Sequence, residues 1–126
     1  MKLLLDTCTL IWLMTGERPL PDRVVRDLAT NDVIVSAASA WEIAIKHAKG
    51  ALRLSQPPHQ LVPAARARYG FSSLAVDEES ALHVAKLPLL HADPFDRILV
   101  SQAIVHGLTI VTPDPLVTQY PARTFW

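Results

Sequence analysis

The sequence predicts an α/β fold: a helix-rich, three-layer α/β/α sandwich around a mainly parallel central sheet. Three observations predict it. Apolar runs recur at Leu3-Leu4-Leu5 and Val33-Ile34-Val35, and Ile110-Val111 centres a further strand over 108–112; apolar strands without polar alternation belong to sheets covered on both faces. The segments between them carry helical spacing with start and stop signals, so strands and helices alternate as parallel crossovers require. Half of the residues are hydrophobic and 19% are charged, a composition that supports a packed core and excludes a disordered chain.

Residues 2–6 read as the first strand, and 8–14 as a short helix through Leu10-Ile11-Trp12-Leu13-Met14. Pro21 opens a helix over 21–29, with Val24, Val25 and Leu28 inward and Asp22, Arg23, Arg26 and Asp27 outward. Val33-Ile34-Val35 is a second buried strand. Helix 37–48 spaces Trp41, Ala44, Ile45 and Ala48 as a stripe expected to face the core, and Gly50 ends it. Pro57-Pro58 begins a helix running to Tyr69, and 71–76 is a third strand. Asp77-Glu78-Glu79 places acids in the first turn of helix 77–86, where the helix dipole favours them. Pro94 starts helix 94–106, which Gly107 closes. A strand over 108–112 follows, and Arg123-Thr124-Phe125-Trp126 adds a last edge strand.

A length of 126 residues fits one domain over 1–126. Twelve basic and twelve acidic residues balance, so no basic footprint marks a nucleic-acid surface. Acids gathered in one site would nevertheless leave the remaining surface net basic. The single cysteine, Cys8, excludes an internal disulfide and a multi-cysteine zinc site. It fits a reducing compartment and reads as a small buried residue of the first helix. Asp6-Thr7 interrupts the apolar N-terminus, no small-residue cleavage site follows, and no apolar run reaches membrane-spanning length. A soluble, cytoplasmic protein is expected. His47, His59, His83, His91 and His106 lack metal-binding spacing and are assigned to surface and capping roles. Four isolated glycines build no phosphate-binding loop.

The chemistry lies in the acids. Asp6 and Asp114 both follow apolar strands, so they point to one edge of a parallel sheet, where ligand sites collect. Glu42 and Asp96 join them if helices 37–48 and 94–106 pack over that edge. Carboxylates so gathered repel one another, and a hard divalent cation offsets that repulsion. Each acid also has an ordinary structural explanation. Asp6 can cap the first helix. Glu42 can pair with Lys46, four residues on. Asp93 suits a cap before Pro94, with Asp96 favoured by the dipole. Asp114-Pro115 repeats that cap-and-proline pattern.

Together these residues resemble the PIN-domain ribonucleases, specifically the VapC-type toxins of toxin–antitoxin pairs. Leu3-Leu4-Leu5-Asp6-Thr7 with Leu10-Ile11-Trp12-Leu13 is similar to the family's opening strand and first acid. Ser36-Ala37-Ala38-Ser39-Ala40-Trp41-Glu42-Ile43-Ala44-Ile45-Lys46 resembles its second-acid helix. His91-Ala92-Asp93-Pro94-Phe95-Asp96-Arg97-Ile98-Leu99 looks like the third-acid segment, and Thr112-Pro113-Asp114 like the fourth. The resemblance implies a PIN-like fold with Asp6, Glu42, Asp96 and Asp114 as a catalytic quartet binding Mg²⁺ or Mn²⁺, and Asp93 as an accessory acid. It implies hydrolysis of RNA to a 5′-phosphate and a 3′-hydroxyl, a homodimer, and an antitoxin partner. Lys46 and Arg97, flanking the acids, are candidates for RNA phosphate contacts or for pairing with neighbouring carboxylates.

Other readings remain open. A catalytically silent PIN-like binding module would show loss of a quartet acid, and all four are present. A PIN nuclease serving RNA maturation would carry the same residues. An aspartyl phosphatase would need Asp-x-Asp where this chain has Asp6-Thr7-Cys8.

Overall fold

The computed structural model describes residues 1–126. Five strands, β1 (Lys2–Leu5), β2 (Asp32–Ser36), β3 (Ser72–Leu74), β4 (Thr109–Val111) and β5 (Thr124–Phe125), form one sheet in the order β3-β2-β1-β4-β5. Every pairing is parallel. Leu4 stands opposite Ile34 on one side and Ile110 on the other, which fixes β1 at the centre. The helices are α1 (Thr7–Thr15), α2 (Asp22–Thr30), α3 (Ala37–Ala48), α4 (Pro58–Tyr69), α5 (Glu78–His83), α6 (Pro94–His106) and α7 (Pro115–Thr118).

Successive strand side chains point to opposite faces, and β1 supplies both cores accordingly. Leu3 and Leu5 join Val33, Val35 and Val111 against Leu10 and Ile11 of α1, Val24 of α2, Ile43 of α3 and Val62 of α4. Leu4 and Ile110 join Leu99, Val100 and Ala103 of α6, Val117 of α7 and Tyr120 on the other side. Burying each β1 leucine contributes about 2 kcal/mol. The three layers are as expected from the sequence. Because the chain continues to β2 on one side of β1 and reaches β4 on the other, the strand order reverses at β1. That reversal opens a crevice beyond its carboxyl end.

Four expectations need correction. The buried stripe of α3 is Ala38, Ser39, Glu42 and Ile43, whereas Trp41 is 63% exposed and Ala44 and Ala48 face solvent. A carboxylate counts as an outward residue in a periodicity reading, and here it points in. Val25 is also exposed, because α2 rests on the sheet through Val24 and Leu28 alone. Helix 77–86 is α5 followed by a tighter 3₁₀ turn at Val84–Lys86, and the strand expected over 71–76 pairs only over Ser72–Leu74. The Asp114-Pro115 cap-and-proline pattern opens a four-residue helix, α7. No helix is long and apolar enough to cross a membrane.

Candidate active site

Asp6 lies just past β1 and is the N-cap of α1. Its Oδ1 accepts the Thr7 backbone N–H at 2.8 Å, and its Oδ2 accepts the Thr112 hydroxyl at 2.6 Å and the Cys8 thiol at 3.4 Å. Only 3% of the residue is exposed. Burial pushes its pKa up, the bonds from Thr112, Cys8 and Thr7 oppose that, and the charge of Asp114 adds to it. Capping and a place in the cleft are therefore two roles of one side chain. Thr112 also accepts the Asp114 backbone N–H at 3.0 Å, so one hydroxyl ties the first acid to the last. Asp114 in turn caps α7 through Leu116 N–H at 2.9 Å.

Glu42 is carried inward by α3, whose start is capped by Ser36 accepting from Ala38 N–H at 3.0 Å. Ser36 donates its hydroxyl proton to Gln102 Oε1 at 2.6 Å, and Gln102 Nε2 donates to the Ala75 carbonyl at 3.1 Å. This fully buried glutamine fastens α6 to the start of α3. Glu42 Oε2 lies 2.6 Å from Lys46 Nζ, while Oε1 is buried with no hydrogen-bond partner. Leaving a buried acceptor unpaired costs about 1–3 kcal/mol, more if it is charged, so this oxygen suits a cation or a proton donor in the cleft.

At the start of α6, Asp93 accepts from Phe95 N–H at 2.9 Å and Asp96 N–H at 3.4 Å, and Pro94 occupies the first helical position. Asp96 is one turn in. Its Oδ2 lies 3.1 Å from Nε2 of His91.

Asp6, Glu42, Asp93, Asp96 and Asp114 line one cleft of about 140 Å³, together with Thr7, Cys8, Ile11 and Lys46. Burial pushes Asp96 up to about 6 despite its bond to His91, and the charges of Asp6, Asp93 and Glu42 push the same way. Burial works against the Lys46 ammonium, but its bond to Glu42 and the charges of Glu42, Asp93 and Asp96 outweigh it, and its pKa rises. Cys8 is pushed up to about 12 by burial and by Asp6, so it remains a neutral donor. No three acid, thiol or imidazole groups stand close enough to clasp a bare ion between them. The donor set nonetheless suits Mg²⁺, which keeps several waters and takes one or two carboxylates directly. A larger groove of about 490 Å³, flanked by Trp41 and Phe95, contains no carboxylate and is lined mainly by apolar side chains. The acidic chemistry belongs to the smaller cleft.

The structure thus brings all five sequence-selected acids and Lys46 together. Arg97 does not join them. It is buried, its Nη1 donates to the Pro88 carbonyl at 2.8 Å and to Tyr120 Oη at 3.0 Å, and its Nη2 donates to the Val84 carbonyl at 3.2 Å. With its fork so occupied, it is not a phosphate contact. The assignment of all histidines to surface and capping roles fails at His91. A signal lies in the sequence, because His91 opens the same short segment that carries Asp93 and Asp96, whereas His-to-His spacing carries none. Thr112 and Cys8, as partners of Asp6, have no signal in the sequence.

A 60-residue stretch is 42% identical to ribonuclease VapC16 of Mycobacterium tuberculosis, covering 48% of this chain and 42% of that protein. The chain therefore matches less than half the length of this curated relative. Among solved structures, it superposes on VapBC2 from Rickettsia felis bound to a DNA fragment from their promoter, with a TM-score of 0.76 at 16% identity, covering 99% of this chain and 98% of that one. FitAcB from Neisseria gonorrhoeae gives a TM-score of 0.66 at 24% identity, covering 98% of this chain and 96% of the other. These likenesses concern the fold. A PIN domain match runs over residues 3–121 and encloses every acid of the cleft, and on that extent the chain belongs to the PIN domain family.

Proposed function

We propose that this chain is a divalent-cation-dependent endoribonuclease that hydrolyses RNA phosphodiester bonds, and that it serves as the toxin of a toxin–antitoxin pair. The observation that carries the reading is the unpartnered, buried Glu42 Oε1 in a cleft lined by five carboxylates. Capping and pairing account for each acid singly, but their mutual repulsion in one cleft is offset when a cation binds among them. Asp6 and Asp96 would hold Mg²⁺ or Mn²⁺ directly, with Glu42, Asp114 and Asp93 completing or orienting the surrounding oxygens and waters. Bound there, the cation would neutralise phosphate charge and make water a better nucleophile. Thr112, Thr7 and Cys8 hold the Asp6 carboxylate in place. Lys46, half exposed and paired with Glu42, would move from that carboxylate to an RNA phosphate.

The likeness to a protein named as a ribonuclease supports the activity, and the likeness to VapBC2 and FitAcB supports an antitoxin partner. A single domain over 1–126, a homodimer and action in the cytoplasm complete the proposal. The test is cleavage of a panel of structured RNAs by the purified chain in Mg²⁺, in Mn²⁺ and in EDTA, beside Asp6→Asn and Asp96→Asn. Cation-dependent cutting, lost in both variants, is expected. Cutting that persists in EDTA or in both variants would overturn the reading.

A further inference from the structure

Asp96 has one oxygen bonded and one free: His91 holds Oδ2 at 3.1 Å, and no protein donor bonds Oδ1. Behind His91 stands Tyr120, which is buried, with its hydroxyl 2.8 Å from His91 Nδ1. The same phenolic oxygen accepts from Arg97 Nη1 at 3.0 Å and from the His91 backbone N–H at 3.3 Å. A phenol offers two lone pairs and one proton. With both lone pairs engaged, its proton goes to His91 Nδ1, the nearer acceptor, since the His91 carbonyl oxygen is 3.4 Å away. Nδ1 therefore accepts. Nε2 must carry the hydrogen, and Nε2–H donates to Asp96. Arg97 is itself anchored on the carbonyls of Val84 and Pro88, in the segment that leads to His91. Every link in this row is fixed from behind the cleft.

We infer that Arg97, Tyr120 and His91 are positioning residues that grip Asp96 by Oδ2, set the tautomer of the gripping imidazole, and leave Oδ1 for the cation. This rests on the nuclease reading of the cleft and deepens it. The purely structural alternative is that the row only fastens the segment before α6. That alternative lowers the melting temperature when the row is broken and leaves cation affinity unchanged.

The experiment is a calorimetric Mn²⁺ titration of the full chain, of His91→Leu, His91→Gln and Tyr120→Phe, paired with ¹⁵N NMR of the histidine rings. His91→Leu should bind Mn²⁺ roughly tenfold more weakly, as loss of a partner behind a ligand commonly does. His91→Gln keeps an N–H donor and should recover most of that loss. Tyr120→Phe should stay folded, bind Mn²⁺ more weakly, and move the His91 ring resonances from the Nε2–H form towards a tautomer mixture. Unchanged Mn²⁺ affinity in a folded His91→Leu protein, or an unchanged His91 tautomer in Tyr120→Phe, overturns the inference while leaving the nuclease reading intact. If the unsubstituted chain binds no Mn²⁺, the cation site falls, and the inference falls with it.

Discussion

Single residues in the cleft are pushed away from their ordinary ionisation by burial and by one another's charge. Asp96 titrates near 6 rather than 3.8 because burial and three neighbouring acids resist its ionisation. A carboxyl whose folded pKa exceeds its unfolded one binds more protons in the folded state, so its ionisation removes stability as pH rises from about 4 to about 6. Asp96→Asn should therefore gain on the unsubstituted chain across that window, by about 1–3 kcal/mol at pH 7 in EDTA. Urea denaturation at pH 4 and pH 7 measures the widening gap. Cys8, pushed up to about 12, should react with iodoacetamide at pH 8 about a thousandfold more slowly in the native chain than after unfolding, since the thiolate is the reacting form. The acids themselves were legible in the sequence, because Asp6 and Asp114 both follow strands and so fall on one edge of a parallel sheet, where ligand sites collect. Their partners were not. Thr112 reaches Asp6 across 106 positions, and nothing local to either residue announces that bond.

At the scale of elements, legibility follows whether the determining signals are local. Helix α6 begins and ends where the sequence places it, because Asp93, Pro94 and Gly107 act on their own neighbours. Gly107 has φ +67° with open space around a would-be Cβ, so Gly107→Ala should cost about 1 kcal/mol from backbone conformation alone, measurable by thermal melting. The inward face of α3 is not local information. It depends on the cleft drawing Glu42 in, which turns Trp41 outward beside Phe95, their centroids 5.1 Å apart. The joint between α3 and α6 hangs on Gln102, which serves Ser36 and the Ala75 carbonyl at once. Gln102→Ala would leave the buried Ser36 hydroxyl without its acceptor and open a cavity, while the Ala75 carbonyl can turn to water, so denaturant unfolding should show a loss of about 2–4 kcal/mol. RNA cleavage should fall with it, because Glu42 and Asp96 ride on the two helices that Gln102 joins.

The whole molecule is a parallel sheet whose order reverses at β1, and that topology places the acids together. Asp6 leaves the central strand, Asp114 follows β4, and α3 and α6 deliver Glu42 and Asp96 to the same crevice. The alternation of apolar strands and helices made the layers legible, while the strand order, which creates the crevice, was not written in any single segment. Assembling like charges there opposes folding unless a cation is bound. The direct measurement is the melting temperature of the chain and of Asp96→Asn, each in EDTA and in Mn²⁺ at a hundred times its dissociation constant. A crossing is expected. Asp96→Asn melts higher than the unsubstituted chain in EDTA, whereas Mn²⁺ raises the unsubstituted chain by roughly 10 °C and the variant far less. Equal melting temperatures for the unsubstituted chain with and without Mn²⁺ would contradict the claim that these acids form one cation site.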